Sequence, residues 1–207
     1  MENIKSNNYV SLSGIIAEEC EFSHEVYGEG FYIFKLEVRR LSDNYDILPV
    51  TVSDRLIDIN SLKIGMSVTI LGQLRSYNHY SSKKNKLVLT AFARSISFDE
   101  ELANNPNEIF LNGFICKKPV YRTTPFGREI ADMLIAVNRN YGKSDYIPCI
   151  AWGRNAKFAG SLEVGSNVLL WGRIQSRSYL KKVENDDTEE RTAYEVSLSK
   201  IELNEEE

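Results

Sequence analysis

The chain has 207 residues, 43% of them hydrophobic and 26% charged, a composition typical of a folded protein with room for two domains of about 100 residues each. Its net charge is only −4. No apolar run approaches the roughly 20 residues that a transmembrane helix needs, and the start, MENIKSNNYV, lacks the basic and apolar regions of a secretory signal. We therefore expect a cytoplasmic protein without membrane contact.

Cysteine and histidine are too few and too scattered for a zinc site. The three cysteines are Cys20, Cys116 and Cys149, and the two histidines are His24 and His79. A zinc site needs about four ligands at close spacing, so buried free thiols are the simpler interpretation. No phosphate-binding loop, metalloprotease helix or nucleophile elbow occurs either. We predict no metal, no cofactor and no enzymatic activity.

The modest net charge hides a strong asymmetry along the chain. Residues 101–182 hold twelve basic and six acidic side chains, whereas residues 183–207 hold two basic and ten acidic ones. The basic segment is a better guide to a binding surface than the total charge is. The positive charge of residues 101–182 is compatible with a polyanionic binding partner.

A repeat organises the chain. LKIGMSVTILGQLRSY (62–77) returns as LEVGSNVLLWGRIQSRSY (162–179), and Asp46 matches Asp145 at an offset of 99. A period near 100 residues indicates a duplicated domain rather than a solenoid. We predict a first unit over 8–98, a polar linker over 99–107, a second unit over 108–204 and a short acidic terminus over 205–207.

Each unit is predicted to hold five strands and one short helix. In the first unit the helix is DRLIDIN. In the second, the strands are IFLNGFIC, with Gly113 as a bulge, IADMLIAVNR, DYIPCIAW, SNVLLWGRIQSRSY and RTAYEVSLSKIEL, and RNAKFAGSLEVG holds the helix. A helix between the third and fourth of five strands predicts an OB-fold barrel. The fold class is therefore all-β, with two tandem five-stranded OB-fold barrels.

Strand alternation separates core from surface in the second unit. Ile147, Cys149 and Ala151 are predicted to point into the barrel, whereas Tyr146, Pro148, Ile150 and Trp152 point outward. On the fourth strand Val168, Leu170 and Ile174 face inward, and Trp171, Arg173, Gln175 and Arg177 face outward. OB-folds commonly bind oligonucleotides on this outer surface.

Aromatic rings beside cations on one face are typical of single-strand binding, because a ring stacks on any base and Lys or Arg neutralises phosphate. Outward rings can also pack against a sister barrel, and Trp171 fits that interpretation better than Trp152 does. The candidates for base and phosphate contact are Tyr141, Tyr146, Trp152, Tyr179, Arg139, Lys143, Arg154, Arg173 and Arg177.

The second unit resembles the bacterial single-stranded DNA-binding proteins over residues 108–203. The motifs that carry the resemblance are IPCIAWGRNA, VGSNVLLWGRIQSRSY and TAYEV. The first unit is similar more loosely, through LPVTVSDRL and IGMSVTILGQLRSYN. The resemblance implies single-stranded DNA as the ligand, and it implies base stacking at Tyr141, Tyr146, Trp152 and Tyr179.

Three departures from the family pattern modify what the resemblance implies. The first unit has Ile47 and Ser53 where the second has Tyr146 and Trp152. Its loop YNHYSSKKNK is nevertheless basic and could touch phosphates through Tyr77, Tyr80, Lys83 and Lys84. The matching loop of the second unit, VENDDTEER, is acidic and should repel phosphate. The chain ends in IELNEEE, without the family's acidic Pro-Phe tail, so recruitment of partners through such a tail is not expected.

Two functions stay open at this point. One is sequence-nonspecific binding and protection of single-stranded DNA in replication, recombination or repair, at a nucleoid-associated location. The other is an OB-fold accessory protein, of a primosome or recombination-mediator type, which acts mainly through other replication or repair proteins. Because the family commonly displays four OB-folds in one assembly, two per chain imply a homodimer.

Overall fold

Two barrels account for the computed structural model of this chain, which describes residues 6–40, 42, 44–81, 84–98, 102–182 and 188–205. Over these residues the first half forms the strands β1 Asn8–Ile16, β2 Glu21–Val26, β3 Glu29–Arg39, β4 Tyr45–Ser53, β5 Ser67–Ser81 and β6 Lys84–Phe98. The second half forms β7 Asn107–Ile115, β8 Val120–Thr123, β9 Glu129–Asn138, β10 Ser144–Trp152, β11 Asn167–Lys182 and β12 Thr188–Leu203. The helix α1 spans Arg154–Gly160, and one-turn 3-10 helices span Ile59–Ser61 and Asn140–Gly142.

Each barrel is a closed ring of five strands. In the first, β1 pairs with β3, β3 with β4, β4 with β6, β6 with β5 and β5 with β1. In the second, β7, β9, β10, β12 and β11 close in the same order. The β4–β6 and β10–β12 pairs are parallel, and the others are antiparallel. The prediction of two tandem five-stranded OB-fold barrels is confirmed.

Local details differ from the sequence predictions. The helix expected over DRLIDIN is a single 3-10 turn, Ile59–Ser61, started by the Asp58 side chain, which accepts from the Asn60 amide at 3.0 Å. Each barrel also carries an extra edge strand, β2 or β8, which forms a hairpin with the next strand and was not predicted. The linker and terminus predicted over 99–107 and 205–207 lie partly outside the described residues.

Gly113 does not form the predicted bulge. The β7–β11 pairing runs through Gly113 opposite Val168 without a shift in register. A Cβ at this position would lie 2.6 Å from the carbonyl oxygen of Ala136. Glycine is therefore required because β7 closes against β9 there. Register shifts lie instead beside Gly72 and Gly172, in the repeated phrase, and between Phe22 and His24 in the β2–β3 hairpin.

The barrel interior contains the small and aliphatic side chains that strand alternation predicts. Ile147, Cys149 and Ala151 are at most 3% exposed, and Val168, Leu170 and Ile174 are fully buried. Burial raises the pKa of the Cys149 thiol far above its usual range, with a smaller contribution from the charge of Glu195. The predicted inward face is thus confirmed, and this thiol is unreactive in the folded chain.

The two barrels form one continuous sheet. β1 and β7, the first strands of the two barrels, pair antiparallel from Asn8 opposite Leu111 to Leu12 opposite Asn107. Asn8 and Asn107 hold matching places, because each side chain bonds to the backbone amide and carbonyl of a buried residue, Leu74 or Ile174, in its own barrel. The barrels are therefore related approximately by a twofold axis between β1 and β7.

Candidate nucleic-acid interface

Trp152 lies at the end of β10 on the outer face of the second barrel. Its indole nitrogen donates a hydrogen bond to the hydroxyl of Ser197 on β12 at 3.1 Å, and 37% of the residue stays exposed. Ile150 shares this face but is only 6% exposed, because it lies at the centre of the sheet between β9 and β12. The hydrogen bond to Ser197 therefore fixes one edge of the Trp152 ring, and part of the ring stays open to solvent.

Tyr146 lies on the same face of β10, six residues before Trp152, which corresponds to about 20 Å along a strand. It is 48% exposed, and its backbone amide donates to the hydroxyl of Ser76 in the first barrel at 2.7 Å. The structure thus places Tyr146 where the two barrels meet and Trp152 at the far end of the strand.

Tyr179 and Arg177 project from β11 beside each other. The Arg177 guanidinium lies 5.9 Å from the centre of the Tyr179 ring, and its Nε is 3.8 Å from a carboxylate oxygen of Glu195. Glu195 also accepts from the Gln175 amide at 2.9 Å. Sequence reasoning missed this carboxylate on the outer face, although its position on the alternating fifth strand could have revealed it.

Three other candidates are exposed around this face. Tyr141 is 99% exposed and adopts φ +67°, a left-handed conformation that is uncommon for residues other than glycine. Lys143 follows in the same loop, and Arg154 is the first residue of α1 directly after Gly153. These side chains are free to meet a ligand without breaking a contact of the core.

Arg139 is engaged by a buried carboxylate at the junction of the barrels. Its Nε lies 2.6 Å from Asp145, and its Nη2 donates to the Ser76 carbonyl at 3.0 Å. Arg75 of the first barrel reaches the same carboxylate at 2.9 Å, and the Ser76 amide donates to it at 2.6 Å. Arg139 therefore neutralises Asp145 and joins the barrels.

Arg173 lies at the matching junction on the other side. Its Nη1 is buried, has no hydrogen-bond partner within the described part of the chain, and lies 3.7 Å from Asp46. Asp46 accepts from Arg40 at 2.6 and 2.8 Å. Burial raises the pKa of Asp46, but the hydrogen bonds from Arg40 and Ser176 outweigh burial and leave it below the usual range.

The junction residues went unrecognised in the sequence, although the repeat carried the signal. Asp46 and Asp145 were matched there, and Ser76 and Ser176 lie near the ends of the two quoted phrases. Because Ser76 and Ser176 bond equivalent carboxylates, they are equivalent positions, and Tyr77 takes the place of Arg177. The structure thus aligns the phrases without a gap as far as these serines.

The first-unit candidates are only partly described. Tyr77 is 41% exposed, and its partial burial raises the pKa of its phenol. Lys83 lies outside the described residues, as do the side chains of Tyr80 and Lys84. Ser53, in the place of Trp152, is 6% exposed and donates to Glu29. Ser53 therefore offers no ring to a base.

No described helix is long and apolar enough to cross a membrane. Within the same part of the chain, no three His, Cys, Asp or Glu side chains are grouped so that they could hold a metal ion.

Known proteins resemble this chain in sequence and in fold. Residues 106–204 match the model of the single-strand binding protein family. "Single-stranded DNA-binding protein 1" of Staphylococcus aureus (strain COL) is 38% identical over 80 residues, which are 35% of this chain and 48% of that protein. The chain therefore spans about half the length of the curated relatives it matches. Their names describe binding proteins, in agreement with the prediction that the chain is not an enzyme.

The solved structures extend the likeness to both barrels. The wild-type single-stranded DNA binding protein from Thermus aquaticus superposes with a TM-score of 0.76, covering 97% of this chain and 94% of its own at 19% identity. The N-terminal domain of PriB protein from Thermoanaerobacter tencongensis, solved as a dimer, is 51% identical over 46% of this chain and 100% of its own, with a TM-score of 0.42. The Thermus likeness shows a shared two-barrel fold.

Proposed function

Because residues 106–204 match the model of the single-strand binding protein family, we propose that this chain belongs to that family and binds single-stranded DNA without sequence preference. Bases stack on rings of the second barrel, and exposed cations neutralise the phosphates. The cellular setting we propose is replication, recombination or repair, at a nucleoid-associated location in the cytoplasm.

The observation that carries this proposal is the position of Trp152. Its indole is held by Ser197, partly exposed, and outside the barrel core. A ring fixed in this way loses little side-chain entropy when a base stacks on it. Tyr146 at the other end of β10 and Tyr179 on β11 supply further rings on the same barrel. Together these rings support a path for several nucleotides.

Electrostatics support a specific subset of the cations. Lys143, Arg154 and Arg177 are exposed, whereas Arg139 and Arg173 are held by Asp145 and Asp46 at the junction. Arg177 lies 3.8 Å from Glu195, but 59% of its side chain is exposed, against 29% for Arg139 and 39% for Arg173. We propose phosphate contacts for the three exposed side chains and a structural role for the two at the junction. A phosphate that reached Arg139 or Arg173 would compete with Asp145 or Asp46 for the same guanidinium.

Binding of oligo-dT to the wild type and to Trp152→Ala, measured by fluorescence anisotropy at one salt concentration, tests the proposal. Loss of one stacked base should weaken binding by about 1–3 kcal/mol, roughly 5- to 150-fold. Ser53→Ala is the matched control, because Ser53 has no ring to lose, and it should bind like the wild type. Absence of oligo-dT binding by the wild type would refute the proposed function.

A further inference from the structure

A large groove lies on the first barrel, away from Trp152. It has a volume of about 1180 Å³ and runs over the outer faces of β2, β3, β4, β5 and β6. At one end it reaches the loop Asn138–Tyr141 of the second barrel. The groove therefore begins where the exposed ring of Tyr141 stands.

In the first barrel, aromatic rings lie on β3 and β6, the two strands that flank β4. Ser53 on β4 holds the place of Trp152, and Phe31 on β3 is its cross-strand partner. Phe92 on β6 is paired with Thr51, two residues before Ser53 on the same face of β4. In the second barrel the matching neighbours are not aromatic: Ile130 and Ser197. The first barrel therefore carries its aromatic rings on the strands beside β4 rather than on β4 itself.

These rings form a continuous row across the groove. His24 stacks on Phe31 with ring centres 4.9 Å apart and planes 14° from parallel. Phe31 lies 5.9 Å from Phe92, and the Arg94 guanidinium lies over Phe92 at 5.3 Å. We call His24, Phe31, Phe92 and Arg94 the aromatic row. None of the four is buried, so the row lines the groove as a partly exposed surface.

The charges along the groove favour a polyanion. Four basic side chains line it: Lys35, Arg75, Arg94 and Arg139. The carboxylates that line it are Glu21 and Glu29, and Glu29 is already engaged by Ser53 and by Arg55 at 3.6 Å. Arg75 and Arg139 share Asp145. Of the other two cations, Lys35 is half-buried with its ammonium 5.8 Å from the centre of the Tyr194 ring, and Arg94 is exposed and donates to the Gln73 side-chain oxygen at 3.3 Å.

We propose that the aromatic row is a second contact site for single-stranded DNA, in which bases stack on Phe31 and Phe92 and phosphates meet Lys35 and Arg94. Flat rings interleaved with cations suit bases and phosphates, and the stacking tolerates any sequence. The identity of the ligand rests on the proposed function of the second barrel. Since the groove ends at Tyr141, one strand can pass from the second barrel into the first.

Two contact sites on one chain make affinity depend on oligonucleotide length. A dT oligomer of about 10 nucleotides covers one OB-fold, whereas one of about 30 nucleotides can engage both. Joining the sites raises the effective concentration of the second segment, so the longer oligomer should bind the wild type more tightly. Length dependence is therefore the quantity to compare between variants.

The test uses Phe31→Leu combined with Phe92→Leu, which keeps apolar volume but removes both rings. Phe98→Leu is the matched control, because Phe98 is 47% exposed at the end of β6 and does not line the groove. We expect the double variant to bind the long oligomer about 5- to 150-fold more weakly and the short one like the wild type. Phe98→Leu should match the wild type at both lengths.

The outcomes separate this proposal from the proposed function. If the double variant binds both lengths like the wild type while Trp152→Ala weakens binding, the aromatic row is not a DNA site and the proposed function stands. If Trp152→Ala binds normally and the double variant does not, the row is the main site and stacking on Trp152 is overturned. Should the double variant unfold, Lys35→Gln with Arg94→Gln replaces it. This surface pair must weaken long-oligomer binding or the proposal fails.

Discussion

Asp46 of the first barrel accepts hydrogen bonds from the amide and the hydroxyl of Ser176 in the second, at 2.7 and 2.9 Å, across 130 residues of chain. Asp145 of the second barrel receives the Ser76 amide of the first in the same way. Each carboxylate is fully buried, and each is paired with an arginine six residues away, Arg40 or Arg139. The repeat therefore supplies a reciprocal pair of contacts that joins its two copies.

Asp46→Asn should destabilise the chain strongly. The substitution leaves Arg40 and the buried nitrogen of Arg173 without their carboxylate, and breaking a buried ion pair from one side costs about 3–5 kcal/mol. Urea unfolding followed by circular dichroism measures the loss. Asp132→Asn is the matched control, since the Arg122–Asp132 pair is about half exposed and should contribute less than about 1 kcal/mol. Equal losses for the two variants would contradict the role assigned to Asp46.

The lowered pKa of Asp46 predicts how the free energy of unfolding depends on pH. The pKa of Asp46 is lower in the folded chain than its ordinary value of about 3.9. A lowered folded-state pKa stabilises the fold above the unfolded-state pKa, and this stabilisation is lost as the pH falls through the folded-state value. The gap in unfolding free energy between wild type and Asp46→Asn should be constant above about pH 5 and shrink below about pH 4. Urea titrations at several pH values measure it, and a gap that widens in acid would contradict the prediction.

The two barrels could be predicted because strand alternation is visible within a few residues and the repeat is visible when two short phrases are compared. They placed Ile147, Cys149 and Ala151 inside and Trp152 outside. The same patterns could not show that Arg139 and Arg173 meet buried carboxylates, because Arg75 and Ser76 reach Asp145 from about 70 residues away. Phe31 and Phe92 were missed for a related reason. Their relation to Ser53 exists only in the register of three neighbouring strands.

Salt dependence should distinguish the exposed arginines from those at the junction. Each phosphate contact contributes about −0.7 to the slope of log affinity against log salt for a single strand. Arg177→Gln should therefore make the slope shallower by about 0.7. Arg173→Gln, which copies Gln73 of the first barrel, should leave the slope unchanged. Anisotropy titrations with oligo-dT at four salt concentrations measure both, and an effect of Arg173→Gln alone would reverse the assignment.

Assembly is a separate prediction. We propose a homodimer that displays four barrels, on the resemblance to a family in which four OB-folds act together. Light scattering during size-exclusion chromatography should then give twice the chain mass of 23.6 kDa at micromolar concentration. A monomer mass for the wild type would contradict the dimer.

The two tryptophans should report different events, which makes fluorescence a direct test of where bases stack. Trp152 is held only at its edge by Ser197, whereas Trp171 packs against Phe110 with ring centres 5.2 Å apart and lies under the Lys200 ammonium at 4.5 Å. Stacking of a base on an indole changes its emission, and Trp152, the more exposed of the two, offers the more accessible ring to a base. In the single-tryptophan variant Trp171→Phe, oligo-dT should therefore still quench the emission. In Trp152→Phe the quenching should disappear while a weakened affinity, measured by anisotropy, persists because phenylalanine still offers a ring. Quenching that survives in Trp152→Phe and vanishes in Trp171→Phe would move the stacking site to the other side of the barrel.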